Sequence, residues 1–499
     1  MTLPAPTSEH LLLAAVLIPF IAALLIPLLS RWPNLREAVT LIAAALMCVA
    51  VVSLLPAVLA GGRPQWSGIE VVPGVTFAFQ LEPLGMLFSL VASTLWIVNS
   101  IYSIGYMRAH DEPHQTGYYA CFAIALGSTI GLAFAQNLFT LFLFYEALTL
   151  STFPLVTHRR DAEAMAAGRL YLLMLLGSSM VLLLPAIITT YVLSGTLDFT
   201  PGGILGGKAS AATLTVLFAL YAFGIGKAAL MPMHFWLPAA MVAPTPVSAL
   251  LHAVAVVKAG VFTVVKVVVY VFGTETLTST GANNWLIYAA TASLLLASLI
   301  ALTRDNLKAR LAYSTVSQLA YVVVGAALAS TTSVVASGMH IAMHAAGKIT
   351  LFFCAGAIYI AHHKTEISDM AGIGRKMPIT MFAFLIGSMS VIGLPPLGGM
   401  WSKWLLGLGA LDSGHAFVVA ALMLSSVLNV AYLLPIVARG FFLPAPDAGS
   451  GGEKKIEEAP AACLIALCAT ALLSFLLFFG ADAIEKLLNG MFAAAQSRG

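Results

Sequence analysis

Apolar stretches of about twenty residues follow one another along nearly the whole chain, and they leave it little choice but a bundle of membrane-spanning helices. They fall near 10–30, 38–60, 84–106, 118–135, 137–157, 169–194, 211–232, 245–271, 286–303, 309–329, 333–361, 378–410, 416–439 and 461–481. With 60% hydrophobic and 9% charged residues, the chain has too few charges to coat a soluble surface. The first stretch lacks a basic leader and a small-residue cleavage site, so it reads as a retained span. The expected class is all-α and integral to the membrane, with about 14 transmembrane helices.

The placement of basic residues tests that count independently. Fifteen of the 24 lysines and arginines lie in connections after odd-numbered spans, from Arg31 and Arg36 to Arg439, Lys454 and Lys455. Connections after even-numbered spans hold only Arg63 and Lys208, and Lys486 and Arg498 follow the last span. A wrong span count would scramble this alternation. The odd-numbered connections are therefore expected in the cytoplasm, with both termini on the opposite side of a cell membrane.

Five cations remain at membrane depth, Lys227, Lys258, Lys266, Lys348 and Lys403, and all are lysine. The one acid well inside a span is Glu146, in "LFTLFLFYEALTLSTFPLV". A charge at bilayer depth costs at least ~3 kcal/mol and by default marks an ion pathway. Arginine stays charged at any depth, whereas a buried lysine is able to give up its proton. A lysine and a glutamate at variable separation thus form a switchable proton site whose titration belongs to the pair.

Two long apolar segments, "GIGKAALMPMHFWLP" and "SVIGLPPLGGMWSKWLLGLGAL", are interrupted by Pro232 and by Pro395 and Pro396. Proline removes backbone hydrogen bonds, and freed carbonyls are tolerable in a bilayer only under a cover of protein or water. The breaks fall in the seventh and twelfth spans. Paired breaks point to an inverted repeat with its site at mid-membrane, spans four to eight matching nine to thirteen. The divisions expected are 1–110, 111–272, 273–442 and 443–499.

In "GMHIAMHAAGKITLFF", His340, His344 and Lys348 are four residues apart and share one helix face, and the row reads as a relay between the breaks. No carboxylate or cysteine lies near the two histidines, so a metal is not expected there. His252 reads as a further relay residue and His234 as an auxiliary one. Lys266, near a span end, is expected to snorkel to the interface. Lys308 and Arg310 read as topology charges at a helix entrance. Cys48, Cys121, Cys354, Cys463 and Cys468 sit singly in apolar runs and read as small buried hydrophobes. "GGILGGKAS" and "GIGRKMP" lack a phosphate-binding lysine–serine pair, which argues against nucleotide. "APDAGSGGEKKIEEAP" reads as a solvated connection before the last span.

The segments "HFWLPAAMVAPTPVSALLHAVAVVKAG", "LKARLAYSTVSQLAYVVVG", "MHAAGKITLFF" and "GLPPLGGMWSKW" resemble the antiporter-like family over nearly the whole chain. That family includes the proton-pumping membrane subunits of respiratory complex I and the A-type and D-type subunits of Mrp multisubunit cation/proton antiporters. The resemblance implies a fourteen-helix fold of two inverted five-helix repeats, broken seventh and twelfth helices, and a hydrophilic axis in the membrane plane. By motif position Glu146 is similar to the fifth-helix glutamate, Lys227 to the seventh-helix lysine, and Lys258 and His252 to eighth-helix polar residues. His340, His344 and Lys348 match the eleventh-helix row, and Lys403 the twelfth-helix residue. The chain runs about eighteen residues past its last span, so a lateral helix is not expected. With Lys403 this looks most like a D-type Mrp protein. The segment "HFWLPAAMVAPTPVSALLH" is nevertheless at least as close to the A type.

The function expected is proton translocation within a multisubunit sodium (or potassium)/proton antiporter. The chain would be neither an enzyme nor a binder of nucleic acid, and would need no cofactor. Its partners would be other membrane subunits, lipid, protons and a monovalent cation. The rival readings are a proton-pumping member of a complex I-like or membrane-bound hydrogenase complex, and a self-contained solute carrier.

Overall fold

A computed structural model of the chain describes residues 7–444 and 456–496. Lys454, Lys455, Arg498 and most of the polar connection before the last span lie outside the described residues. Among the described residues twelve helices are long and apolar enough to cross a membrane, including Leu138–Val156 (fifth span), Thr245–Phe272 (eighth), Leu307–Leu328 (tenth) and Thr331–His362 (eleventh). Two shorter apolar helices, Ala211–Gly224 and Pro378–Ile392, open the seventh and twelfth spans. Fourteen spans result, in the order expected.

Both breaks fall where the prolines put them. After Ala211–Gly224 the chain makes a single tight turn, Gly226–Ala228, passes through Ala229 in the left-handed region, and becomes helical again at Trp236. The twelfth span stops at Ile392, and Gly393 follows at φ +93, a conformation glycine adopts without a Cβ clash. Its amide donates to the Met389 carbonyl, capping the first half-helix, and the second half-helix, Gly399–Asp412, begins after the prolines.

The spans differ in how they meet their surroundings. In the first, second and fourteenth spans well under half of the most apolar window is enclosed, and leucines such as Leu24 and Leu28 are exposed along them. In the eighth and eleventh spans that window is buried completely. Lys258, Lys266 and Lys348 lie in these two enclosed helices, where neighbouring helices rather than lipid surround them. The eighth span is also widened by a π-helical turn at Leu250–Val254, a local distortion frequent at functional sites, and His252 sits in it.

Three features depart from the expectations. The connection between the second and third spans is an antiparallel hairpin, β1 (Gln65–Val72) and β2 (Val75–Gln80), with Gln65 opposite Gln80. Past the last span, Ala481–Gln496 is an amphipathic helix rather than a tail. It buries Leu487, Leu488 and Met491 and leaves Asp482 and Lys486 exposed as an ion pair at 2.7 Å. Cys468 is exposed, not buried, because its face of the fourteenth span borders an open groove.

Candidate functional site

Lys227 is wholly buried in the turn of the first break. Its ammonium donates to the Tyr145 carbonyl at 2.9 Å and to Thr149 Oγ1 at 2.6 Å, and lies over the Tyr145 ring. Glu146, the next residue along the fifth span, is only 8% exposed, yet neither carboxylate oxygen has a hydrogen-bond partner among the described residues. The lysine has thus turned onto neutral acceptors one residue from the acid, leaving the carboxylate without a donor. A buried carboxylate without donors is costly to maintain and is ready to accept a proton or a cation.

On the eighth span, Lys258 Nζ is hydrogen-bonded to His344 Nδ1 of the eleventh. The His344 ring lies 5.8 Å from that of His340, on the shared helix face that the four-residue spacing predicts, and the two rings are nearly parallel, 7° apart. His340 Nδ1 is 2.9 Å from Ser402 Oγ beyond the second break, and its ring stacks on Tyr321. Lys403 lies over that same tyrosine, 4.5 Å from its centroid, and donates to the carbonyls of Val391 and Ile392 at 2.8 and 3.1 Å. Those carbonyls are the ones the break releases from the helix ladder. Lys403 is the least enclosed of these amines. Lys348 donates to Ser314 Oγ at 2.7 Å and to the Leu311 carbonyl at 3.3 Å. Ser314 in turn accepts from the Tyr432 hydroxyl at 3.0 Å.

A line therefore runs from Lys258 through His344 and His340 to Ser402, Tyr321 and Lys403. Lys227 and Glu146 form a separate cluster, and among the described residues no hydrogen bond joins Lys227 to Lys258. The two clusters meet by packing: at Gly260, two residues past Lys258, an added Cβ would lie 2.3 Å from the Lys227 carbonyl carbon. The halves also differ. Tyr145 and Tyr321 each lie beneath an amine near a break, but Glu146 follows the first tyrosine and Val322 the second. His252 has no partner on either ring nitrogen among the described residues and packs on Phe352. His234 stands against Phe235 and Tyr313 instead of in the row.

Lys266 does not snorkel. It is fully buried, donates to the Ala135 carbonyl at 2.8 Å, and lies 3.6 Å from Glu82 Oε1. Glu82 caps the third span by accepting from the amides of Leu84 and Gly85, and also accepts from the Tyr270 hydroxyl at 2.9 Å. Sequence reasoning passed over Glu82 because it precedes a span rather than lying within one. The signal available was an acid directly before a helix-opening proline. Both oxygens of this carboxylate are engaged, so it reads as a fixed latch between the third and eighth spans. Lys266→Met should destabilise the detergent-solubilised chain by about 3–5 kcal/mol, since it strands a buried carboxylate. Adding Glu82→Gln should recover part of the loss in a thermal melt. Equal melting of wild type and the single variant would show that the latch carries no load.

On the side of the odd-numbered connections the helices enclose a cavity of about 810 Å³. Glu112, Arg159, Asp161 and Lys308 line it, with Tyr106 and Thr245 among its walls. Lys308, expected as a topology charge, donates to the Ala243 carbonyl at 2.6 Å. Glu112 lies between two imidazoles, 3.9 Å from His110 Nε2 and 3.7 Å from His158 Nε2. Burial holds the Glu112 carboxyl above its ordinary value against the opposing pull of His110, Arg159 and Lys308, and burial pushes His158 down. From Thr245, Ser248 and His252 follow at three and seven residues along one face of the eighth span.

The family model described as NADH:quinone oxidoreductase/Mrp antiporter, transmembrane, matches residues 135–429. The chain belongs to this family. The matched region begins before the fifth span and ends in the thirteenth, so it contains Glu146, Lys227, His252, Lys258, His340, His344, Lys348 and Lys403. NADH-quinone oxidoreductase subunit N of Desulforudis audaxviator (strain MP104C) is 29% identical over 465 residues, 90% of each chain. A probable K(+)/H(+) antiporter protein of the A/B type from Rhizobium meliloti (strain 1021) is 33% identical over 411 residues. That alignment takes in 79% of this chain but 39% of the relative, so the chain spans well under half of that protein. A chain in the structure of the Mrp complex from Dietzia sp. DQ12-45-1b superposes with a TM-score of 0.83 over 99% of this chain and 97% of its own, at 21% identity. At that identity the likeness speaks for the fold.

Proposed function

We propose that this chain is a proton-translocating membrane subunit of a multisubunit Na+ (or K+)/H+ antiporter. The observation that supports this most directly is the state of its buried charges. Lys227, Lys258, Lys348 and Lys403 are held by carbonyls, hydroxyls and an imidazole, with no carboxylate in hydrogen-bond contact among the described residues, while Glu146 stands without a donor there. An amine on neutral acceptors loses little when its proton leaves, and an unpartnered carboxylate gains when one arrives.

Protons enter from the cavity beside Glu112 and pass Thr245 and Ser248 toward His252. They load Lys227, which swings to Glu146 or toward the row of Lys258, His344, His340 and Lys348, and they leave by way of Lys403. The gap between Lys227 and Lys258 is the switch, because a lysine swing closes or opens it. Cation movement in the opposite sense is coupled through charge. A membrane potential supplies ~2.3 kcal/mol per charge per 100 mV, enough to bias the position of one ammonium. In this reading 111–272 and 273–442 are the two inverted repeats and the chain is of the D type. The odd-numbered connections face the cytoplasm of a cell membrane, and the chain works with other membrane subunits rather than alone.

A second reading is favoured by the 90% coverage of a quinone oxidoreductase relative. The same axis would then pump protons driven by electron transfer in partner chains. Complementation of a sodium-sensitive, antiporter-deficient strain separates the two. Growth in high sodium restored by this gene together with its neighbours, and not by the gene alone, is expected. No rescue by the full gene set, with proton pumping that instead follows quinone reduction, would replace the first reading by the second.

A further inference from the structure

Between the twelfth, thirteenth and fourteenth spans lies an open groove of about 790 Å³, walled almost wholly by carbon. It starts at Pro378 and Phe441 on the side of the basic connections, runs along Phe382, Ile386 and Leu472, and ends at Pro396 in the second break. From Pro378 to Met389 the helix rises about 16 Å, close to the ~15 Å depth of one leaflet's hydrocarbon. The groove is therefore one leaflet deep and lies parallel to lipid tails.

Among the described residues, basic side chains outnumber acidic ones at its mouth. Arg375 is exposed there and donates from Nε to the carbonyl of Phe441, the residue that walls the groove's end, at 3.0 Å. Lys376 is its neighbour in sequence, and Arg439 comes two residues before Phe441. Of the two acids at this rim among the described residues, Glu458 is occupied in capping the twelfth span. It accepts from Ile379 N at 2.7 Å and from Thr380 Oγ1 at 2.6 Å. Glu457 is exposed. Lysine and arginine at a membrane surface recruit anionic headgroups.

We propose that this groove binds one anionic glycerophospholipid from the leaflet facing the basic connections. Its phosphate sits at Arg375 and Lys376, and one acyl chain lies in the groove with its end against Pro396. The tail thereby packs on the break that holds Lys403, so lipid occupancy braces the second half of the axis. The inference needs only the membrane-spanning fold and stands apart from the proton reading.

The full chain reconstituted with phosphatidylglycerol carrying a photoreactive group at the acyl terminus should give adducts concentrated between Met389 and Leu397 and on Leu472 or Phe475. Phosphatidylcholine with the same tail should label these sites about tenfold less. In the phosphatidylglycerol samples the double variant Arg375→Gln/Lys376→Gln should lower labelling to the phosphatidylcholine level, and Ala471→Trp, which fills the groove, should abolish it. Adducts spread evenly over all lipid-facing spans, or equal labelling by the two lipids, would overturn the proposal. So would groove adducts that are present in the isolated chain but vanish in native membranes, since another protein would then cover the groove. The wild-type comparison decides the matter even where a variant fails to fold.

Discussion

Lys227→Ala is expected to reduce cation/proton exchange by the assembled complex in everted vesicles by about 100-fold or more, the loss typical when a positioned proton-transfer group is removed. Insertion and assembly should be unaffected. The variant leaves the Tyr145 carbonyl and Thr149 Oγ1 without their ammonium donor, a cost of about 1–3 kcal/mol for stranded buried acceptors. Against that, it removes a cation that the fold had to desolvate, so the balance leaves the bundle standing. Lys227→Arg is the sharper variant. It keeps the positive charge and donor capacity but never gives up its proton. If the site works by shedding charge, arginine should be as inactive as alanine; if it works only as a fixed positive potential beside Glu146, arginine should retain much of the exchange. Undiminished exchange in Lys227→Ala would remove Lys227 from the pathway altogether.

The parts of this protein visible in its sequence are those where a residue type is costly in its setting. Lysines in apolar runs, prolines in spans and basic residues in alternate connections are each expensive or statistically biased, and the structure puts the buried lysines and the breaks where that cost predicts. That His340 and His344 share one helix face follows from spacing alone; the parallel stacking of their rings adds a choice of rotamers. What escaped depends on position in three dimensions. Lys266 lies near the end of an apolar run, which reads as the membrane interface. The connection between the fourth and fifth spans folds over it, however, and Glu82 arrives from a distant part of the chain. Depth along a helix says nothing about enclosure by neighbours. The hairpin has a short alternating strand, "VTFAFQ", too brief to stand out between long apolar runs. The helix Ala481–Gln496 did carry a signal, with Ile484, Leu487, Leu488 and Met491 at helical spacing, but its low overall hydrophobicity hid it from a search for spans. Nor does sequence show that Lys227 faces a carbonyl rather than Glu146, because that choice is a rotamer, and in the proposed mechanism the rotamer changes.

Gly260→Ala should be nearly as damaging as the loss of Lys227, although it adds one methyl group and removes nothing. The new Cβ would stand 2.3 Å from Lys227 C and from Ala228 N, and 2.7 Å from the Lys227 carbonyl oxygen. All three are backbone atoms in a turn flanked by Gly226 and by the left-handed Ala229, so no side chain is available to swing away. Either the eighth span moves outward, pulling Lys258 from His344, or the turn shifts and carries Lys227 off Tyr145 and Thr149. Overpacking of this kind costs about 1–3 kcal/mol, and a displacement of ~1 Å at a reacting group is enough for a loss of about 100-fold. The variant should therefore show lowered melting in detergent together with near-complete loss of exchange. Gly407→Ala, in the second half of the twelfth span, meets nothing within 4 Å. It should melt at or slightly above wild type, as alanine is the better helix former by about 1 kcal/mol, and should exchange normally. A Gly260→Ala protein with wild-type melting and full exchange would mean that the approach of the eighth span to the first break is not what positions Lys227.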